Sequence, residues 1–419
     1  MTTQPKLIRI CNFCGKNQLQ VDKLISGNDV YICNECVVLC QDVLTDNRKS
    51  EVVTDKLTPA KIKSYLDERV IGQETAKTIL SVAIYSHLQR IDHPVIDGVE
   101  LDKSNCIMVG PSGSGKSFIL QQIGKLLDIP FVIIDATSLT ESGYVGLDVE
   151  DCIVRLYQAA EGDISKTERG IVFIDEIDKK RQKGESTSIT RDVSGEGVQQ
   201  AILKMIEGCE VKVPPTGGRK NPHGDFITVN TKNILFIVGG AFVGIDSIIA
   251  KRLNKNTSSS IGFRASVGKT TSVEELTTLL RDVKHEDVNQ FGLIPELIGR
   301  LPVLVPFDQL TEHDLLRILT EPKNAIVKQY QKMFKLDNVD LRFDTEALLA
   351  IAKRAIENKT GARGLRSIIE QILLPVQFKL PDLHKNRISA VVITEECVIN
   401  GVEPTMVITK KVDTLHAQD

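Results

Sequence analysis

The 419 residues contain no tryptophan, and aromatic side chains make up only 5% of them. Neither sign of charge dominates. Against 55 Asp and Glu stand 52 Lys and Arg, for a formal net charge of -3 and a pI of about 6.2, so no global basic field draws the chain to nucleic acid. Long apolar runs are missing as well. The longest apolar-rich stretch, Ile234 to Ile245, is broken by Gly239, Gly240 and Gly244. It is too short to span a bilayer and reads as a buried strand with its turn. Met1 to Ile10 has no long apolar stretch after a basic start, which argues against a signal peptide and leads us to expect a cytoplasmic protein, or an organellar one after processing. No segment repeats. Hydrophobic content of 42% with 26% charged residues is that of a soluble globular protein, and the length implies about two to four domains.

Cysteine, by contrast, occurs nine times. Cys11 and Cys14 form one C-x-x-C pair, Cys33 and Cys36 a second, with eighteen residues between the pairs. Four thiolates at that spacing suit tetrahedral zinc and close a structural site with no open position. Gly27-Asn28-Asp29 before Val30-Tyr31-Ile32 predicts a hairpin between the pairs. Lys16 and Lys23, offset by Asp22, Asp29 and Glu35, favour a protein partner over nucleic acid. Cys40, Cys106, Cys152, Cys209 and Cys397 sit singly among apolar neighbours and read as buried thiols. A disulfide framework is not expected.

Gly110-Pro111-Ser112-Gly113-Ser114-Gly115-Lys116-Ser117 fits G-x-x-x-x-G-K-[ST]. In such a loop backbone N–H groups wrap phosphates, the lysine reaches the β and γ phosphates, and the hydroxyl sits on Mg²⁺. Cys106-Ile107-Met108-Val109 is the expected preceding strand and Phe118 to Leu127 the following helix. Phe131 to Ile134, Ile171 to Ile174 and Ile234 to Val238 are further continuous apolar runs. Alternating with helical segments, they predict a parallel sheet covered on both faces. Val303 to Phe307 is a weaker fifth run, since Pro306 suits only an edge. Ile171 to Ile174 ends in Asp175 and Glu176, where the first would hold Mg²⁺ and the second would polarise water. Asp178, Lys179, Lys180 and Arg181 read as a solvated charge run. Ile62, Leu66 and Val70 recur at helical spacing after Thr58-Pro59. Beyond about residue 310 the pattern turns mostly helical, with late strands at Val391 to Ile393 and Val407-Ile408.

Other features are weaker on their own. Arg300 follows an apolar helix turn, and Arg363 and Arg366 flank a helix start; each alone reads as a surface arginine, although a γ-phosphate in a cleft needs such cations. Tyr144 stands between glycines, as in a turn. Pro214 to Pro222, with Arg219 and Lys220, reads as a connector.

Taken in order, the zinc module, Val70-Ile71-Gly72-Gln73, the phosphate loop, Gly143-Tyr144-Val145-Gly146, Asp175-Glu176, Ser194 to Gln200, Ile261-Gly262-Phe263, Gly299-Arg300 and Gly361-Ala362-Arg363 resemble the ClpX family of AAA+ protein unfoldases. The likeness runs from Cys11 to about residue 405. It implies an α/β P-loop sheet flanked by helices, a small mostly helical C-terminal domain and an N-terminal zinc module. The expected bounds are 1–45 for the zinc module, 46–58 for a linker, 59–310 for the large ATPase domain, 311–409 for the small one and 410–419 for a tail. It also implies a homo-hexamer that uses ATP, Mg²⁺ and Zn²⁺, pulls tagged or unfolded proteins through a pore, feeds a ClpP-type peptidase, and receives adaptors at the zinc module. By the same resemblance Val70 and Ile71 line the adenine pocket, and residues from Gly110 to Phe118 hold nucleotide. Arg300 is the finger on a neighbour's ATP and Arg363 the sensor of the small domain. Tyr144 with Val145 grips substrate, Arg219 and Lys220 stand at the pore entrance, and Ile261, Gly262 and Phe263 dock on the peptidase.

The chain departs from the family pattern in places. Ser112 and Ser117 stand where threonines are usual, Asn221 where a histidine is, with His223 two residues on, and Leu147 where an acidic residue is. Gly239-Gly240 leaves the strand before it with no polar sensor. A nucleic-acid remodelling ATPase would need a Lys/Arg stripe that is missing. A small-molecule kinase would need neither a zinc head nor Tyr144.

Overall fold

The computed structural model describes residues 9–28, 30–40, 57–93, 95–96, 98–127, 129–140, 147–182, 195–214, 226–256, 273–385 and 388–408. It divides into two compact units, Met1–Thr58 and Pro59–Asp419. In the first, strands Leu24–Ser26 and Tyr31–Cys33 pair antiparallel as the hairpin the turn residues predict, and a helix covers 34–40. Among the described residues of this unit, Cys11 and Cys33 are the buried apolar ones.

The second unit is built on five parallel strands: β1 (Cys106–Val109), β2 (Phe131–Asp135), β3 (Ile171–Asp175), β4 (Leu235–Gly240) and β5 (Val303–Pro306). Their order is β5-β1-β4-β3-β2. β1 and β4 are buried throughout, as helices on both faces require. β5 lies at an edge beside β1, where Pro306 needs no ladder donor on its open side. One apolar cluster fills the space between sheet and helices, including the stripe Val198, Ile202, Met205 and Ile206.

A second cluster, from Leu315 to Val398, belongs to a smaller helical part. Its helices Glu312–Thr320, Ile326–Leu336, Thr345–Glu357 and Ala362–Lys385 carry a three-stranded sheet. There Asp340–Phe343 runs parallel to Ile388–Ile393, and Thr405–Ile408 antiparallel to it. The strand Asp340–Phe343 was not foreseen, because two charges in four residues hide it.

Two sequence expectations need correction here. The first helix ends at Asp67, so Val70 lies in the turn beyond it, although Val70 N still donates to Leu66 O at 2.7 Å. Gly72 (φ 65°) and Gln73 (φ 57°) turn the chain there into the next helix, Glu74–Asp92. Of the five single cysteines, Cys106, Cys152 and Cys397 are buried, but Cys40 and Cys209 are only half-buried.

Candidate functional site

A cleft of about 850 Å³ opens at the carboxyl ends of β1 and β3, lined by the phosphate loop, Asp175, Glu176 and residues of the helical part. Gly113 (φ 76°) and Gly115 (φ 97°) adopt left-handed backbone, which side-chain-bearing residues resist. At Gly113 the demand is also steric: a Cβ there would lie 2.6 Å from Thr360 O and 3.2 Å from Gly361 Cα. Ala362 N donates to Gly113 O at 3.3 Å. The loop is therefore seated against the turn that opens the helix carrying Arg363 and Arg366, and both arginines line the cleft.

Lys116 is buried, and its Nζ donates to Gly110 O at 2.7 Å and Pro111 O at 2.8 Å. Burial draws its pKa from 10.5 down to about 8, against the attraction of Asp175, Asp178 and Glu176. Ser117 Oγ donates to Asp175 Oδ2 at 2.6 Å. Asp175 Oδ1 accepts the Glu176 N–H at 2.9 Å. Glu176 has φ 57° and ψ 32°, a conformation that costs about 1–3 kcal/mol away from glycine and persists only where its surroundings impose it. The turn places Glu176 in the cleft wall while Asp175 stays on the strand end.

The charge run after Glu176 is solvated only in part: Lys179 and Arg181 are exposed, as the sequence suggests, but Asp178 and Lys180 are not. Asp178 is 4% exposed and Lys180 9%. Asp178 Oδ1 accepts the Ala241 N–H at 3.2 Å, and a Cβ on Gly240 would sit 2.5 Å from that oxygen. The glycine pair that ends β4 without a polar side chain is what admits this carboxylate beneath Ala241, which lines the cleft. A Gly-Gly strand end beside an acid-rich strand end was the available signal, and the sequence reading missed it.

Val70 and Ile71 line the cleft together with the apolar Leu310, Ile318 and Ile326, so both parts of the unit build it. Lys77, 2% exposed, bonds to Asp67 Oδ1 at 2.5 Å and Val70 O at 3.3 Å and pairs with Glu74 at 2.6 Å. It pins the Val70 segment. Arg69, stacked 3.6 Å from the Tyr65 ring centre, lines the cleft with it; neither was singled out from sequence. Phe118 lines the cleft and is about half in solvent. Arg300 is exposed, lies outside the cleft and pairs with Glu207 at 2.9 Å. Tyr144, Val145, Arg219, Lys220, Ile261, Gly262 and Phe263 fall outside the described residues.

In the first unit the sulfurs of Cys11, Cys14, Cys33 and Cys36 all lie within 4.8 Å of one another. Backbone N–H groups support them: Cys33 N donates to Cys11 Sγ at 3.2 Å and Cys36 N to Cys33 Sγ at 3.4 Å. Four thiols gathered this closely without a disulfide fit tetrahedral zinc.

The strand order, the loop after β1 and the acidic end of β3, closed by a helical part that contributes arginine, define an ATPase of the AAA+ class. Residues 101–304 match the AAA domain (Cdc48 subfamily), and residues 310–381 the C-terminal, D2-small domain, of ClpB protein. Residues 9–46 match the ClpX C4-type zinc finger. The ATP-dependent Clp protease ATP-binding subunit ClpX of Treponema denticola is 51% identical over 379 residues, covering 89% of this chain and 90% of that protein. The chain belongs to the ClpX family: it is an AAA+ ATPase and protein unfoldase with an N-terminal zinc finger. Among the described residues no helix is long and apolar enough to cross a membrane.

Proposed function

We propose that this chain forms a homo-hexameric ring in the cytoplasm, hydrolyses ATP with Mg²⁺, draws tagged or unfolded proteins through its pore and delivers them to a ClpP-type peptidase. Without the peptidase it acts as a chaperone. The Clp protease role in the name of the Treponema denticola relative supports the partnership. The domain bounds follow the resemblance: 1–45, 46–58, 59–310, 311–409 and 410–419.

The observation that carries the hydrolytic reading is the pairing of Ser117 Oγ with Asp175 Oδ2 at 2.6 Å, next to Glu176 in the cleft wall. Two hard oxygen donors so placed fit Mg²⁺, which when bound supplies charge to the phosphates. Backbone N–H groups of residues 112–117 wrap the phosphates, and Lys116 leaves its two carbonyl partners to meet them. Glu176 takes the proton of the attacking water. Arg363 stabilises developing charge from the helical part. Arg300, exposed and outside its own cleft, serves a neighbour's nucleotide. Val70 and Ile71 hold the adenine. Cys11, Cys14, Cys33 and Cys36 hold zinc in the module that receives adaptors. Tyr144 and Val145 grip the substrate behind Arg219 and Lys220, and Ile261-Gly262-Phe263 dock on the peptidase.

The test is degradation of a tagged folded protein by the purified chain with ATP and a ClpP-type peptidase. Glu176→Gln keeps ATP binding and loses turnover by about 10²- to 10⁴-fold, the usual contribution of a general base. Wild-type turnover in that variant would remove Glu176 from the chemistry. DNA-stimulated hydrolysis with no response to protein would overturn the unfoldase assignment of these sites.

A further inference from the structure

Gln73 closes the Val70-Ile71-Gly72-Gln73 run, yet none of the roles above uses it. Its side chain is 3% exposed. Its Nε2 donates to Ser114 O at 3.2 Å and to Asp308 O at 2.9 Å. Its Oε1 accepts the Asp308 N–H at 2.9 Å. One amide thus holds a phosphate-loop carbonyl with two of its three bonds spent on both backbone groups of a residue 235 positions away. The backbone of Gln73 is left-handed, φ 57° and ψ 36°, a conformation that glycine would take freely and glutamine resists. The side-chain bonds are what a longer residue gains at that position.

Asp308 is no ordinary loop residue. It follows Phe307, whose N–H donates to Val109 O at 2.8 Å and whose Cβ comes within 2.6 Å of a Cβ built on Gly110. It precedes Leu310 in the cleft wall and the Thr311 cap of helix Glu312–Thr320, the first of the helical part. Its carboxylate forms a two-point pair with Arg281, 2.9 Å to Nε and 2.7 Å to Nη2. Asp308 therefore sits at the junction where the sheet part hands over to the helical part, and it is anchored from three sides.

We propose that Gln73 is a positioning residue that couples the phosphate loop to this junction. A shift of Ser114 O when phosphate enters the loop is transmitted through a single rigid amide to the Asp308 backbone, and so to the entry of the helical part. The reverse also holds: displacement of the junction acts on the loop. The inference rests on nucleotide binding at the phosphate loop and on none of the substrate or peptidase assignments.

The test compares the full-length wild type with Gln73→Glu and Gln73→Gly. Glutamate has the same shape and keeps an acceptor for Asp308 N, but donates nothing to Ser114 O or Asp308 O. Glycine takes the left-handed backbone freely and removes the side chain, so that one variant at least folds. Amide hydrogen exchange is followed with and without a slowly hydrolysed ATP analogue, alongside steady-state hydrolysis. In the wild type the analogue slows exchange both at residues 110–118 and at residues 308–320. In the variants protection at 110–118 persists at higher analogue concentration, while that at 308–320 is lost. KM for ATP rises about 5- to 10-fold, the scale of an ordinary coupling between sites, with kcat within about twofold. Unaltered nucleotide-dependent protection at 308–320 in both variants overturns the coupling. So does a fall in kcat at constant KM, which reports a lost transition-state interaction or a smaller active fraction rather than a weakened coupling to nucleotide binding. Wild-type protein showing no protection at 110–118 would overturn the nucleotide-site reading itself, and with it this inference.

Discussion

Replacing Gly113 with alanine adds one carbon where the structure has no room for it. The backbone there has φ 76°, which costs alanine about 1–2 kcal/mol. That term falls on the folded state whether or not the helical part is seated on the loop. The second term depends on the seating. The added Cβ lies 2.6 Å from Thr360 O and 3.2 Å from Gly361 Cα, and backbone atoms cannot rotate aside. Overpacking of this kind costs about 1–3 kcal/mol. The nucleotide cleft is built by both parts, so this cost falls on the arrangement that binds ATP. At about 1.4 kcal/mol per tenfold, Gly113→Ala should weaken ATP binding by roughly 5- to 150-fold. Gly401→Ala is the control. Its φ is also positive, at 67°, but nothing lies within 4 Å of the new carbon. It should lower stability by about 1 kcal/mol and leave ATP affinity alone. Calorimetric titration with a slowly hydrolysed analogue, with a thermal melt of each variant, separates the two terms. Wild-type affinity in Gly113→Ala would refute the argument that the Thr360–Gly361 turn must sit on the loop.

Two further predictions concern the metal module and the ion pair between Arg252 and Asp287. Cys14→Ser should remove bound zinc, because ligation supplies on the order of 10 kcal/mol to so small a module; metal analysis of the purified chain should fall from one zinc to none, and full zinc occupancy would exclude Cys14 as a ligand. Arg252→Met should destabilise the second unit by about 3 kcal/mol, the low end for stranding one partner of a buried pair. Asp287 is 1% exposed and takes Arg252 Nε at 2.8 Å and Nη2 at 2.9 Å. A urea midpoint moved by less than about 1 kcal/mol equivalent would show that the Lys284 N–H, which Asp287 also accepts at 2.8 Å, satisfies the carboxylate by itself.

Much of this protein was legible in its sequence because the chemistry is local. A phosphate loop is eight consecutive residues between a strand and a helix, and a four-thiol cluster is two C-x-x-C turns. Both are written in contiguous stretches and need no tertiary information to recognise. The apolar runs that became β1 to β5 were legible for the same reason: strands buried on both faces carry no polar alternation. What the sequence could not decide was which distant groups those stretches meet. Asp178 looked like one member of a charged run until folding placed it against the end of β4, where glycine leaves space for its carboxylate. Lys77 gives no sign in sequence that it is buried beneath the Val70 turn. The contact between Gly113 and Gly361 and the bond from Gln73 to Asp308 join residues more than two hundred positions apart, and the bond from Gln73 to Ser114 spans 41. Such pairings depend on how the helical part closes over the sheet, and that closure is set by packing of whole surfaces rather than by any local run of residues.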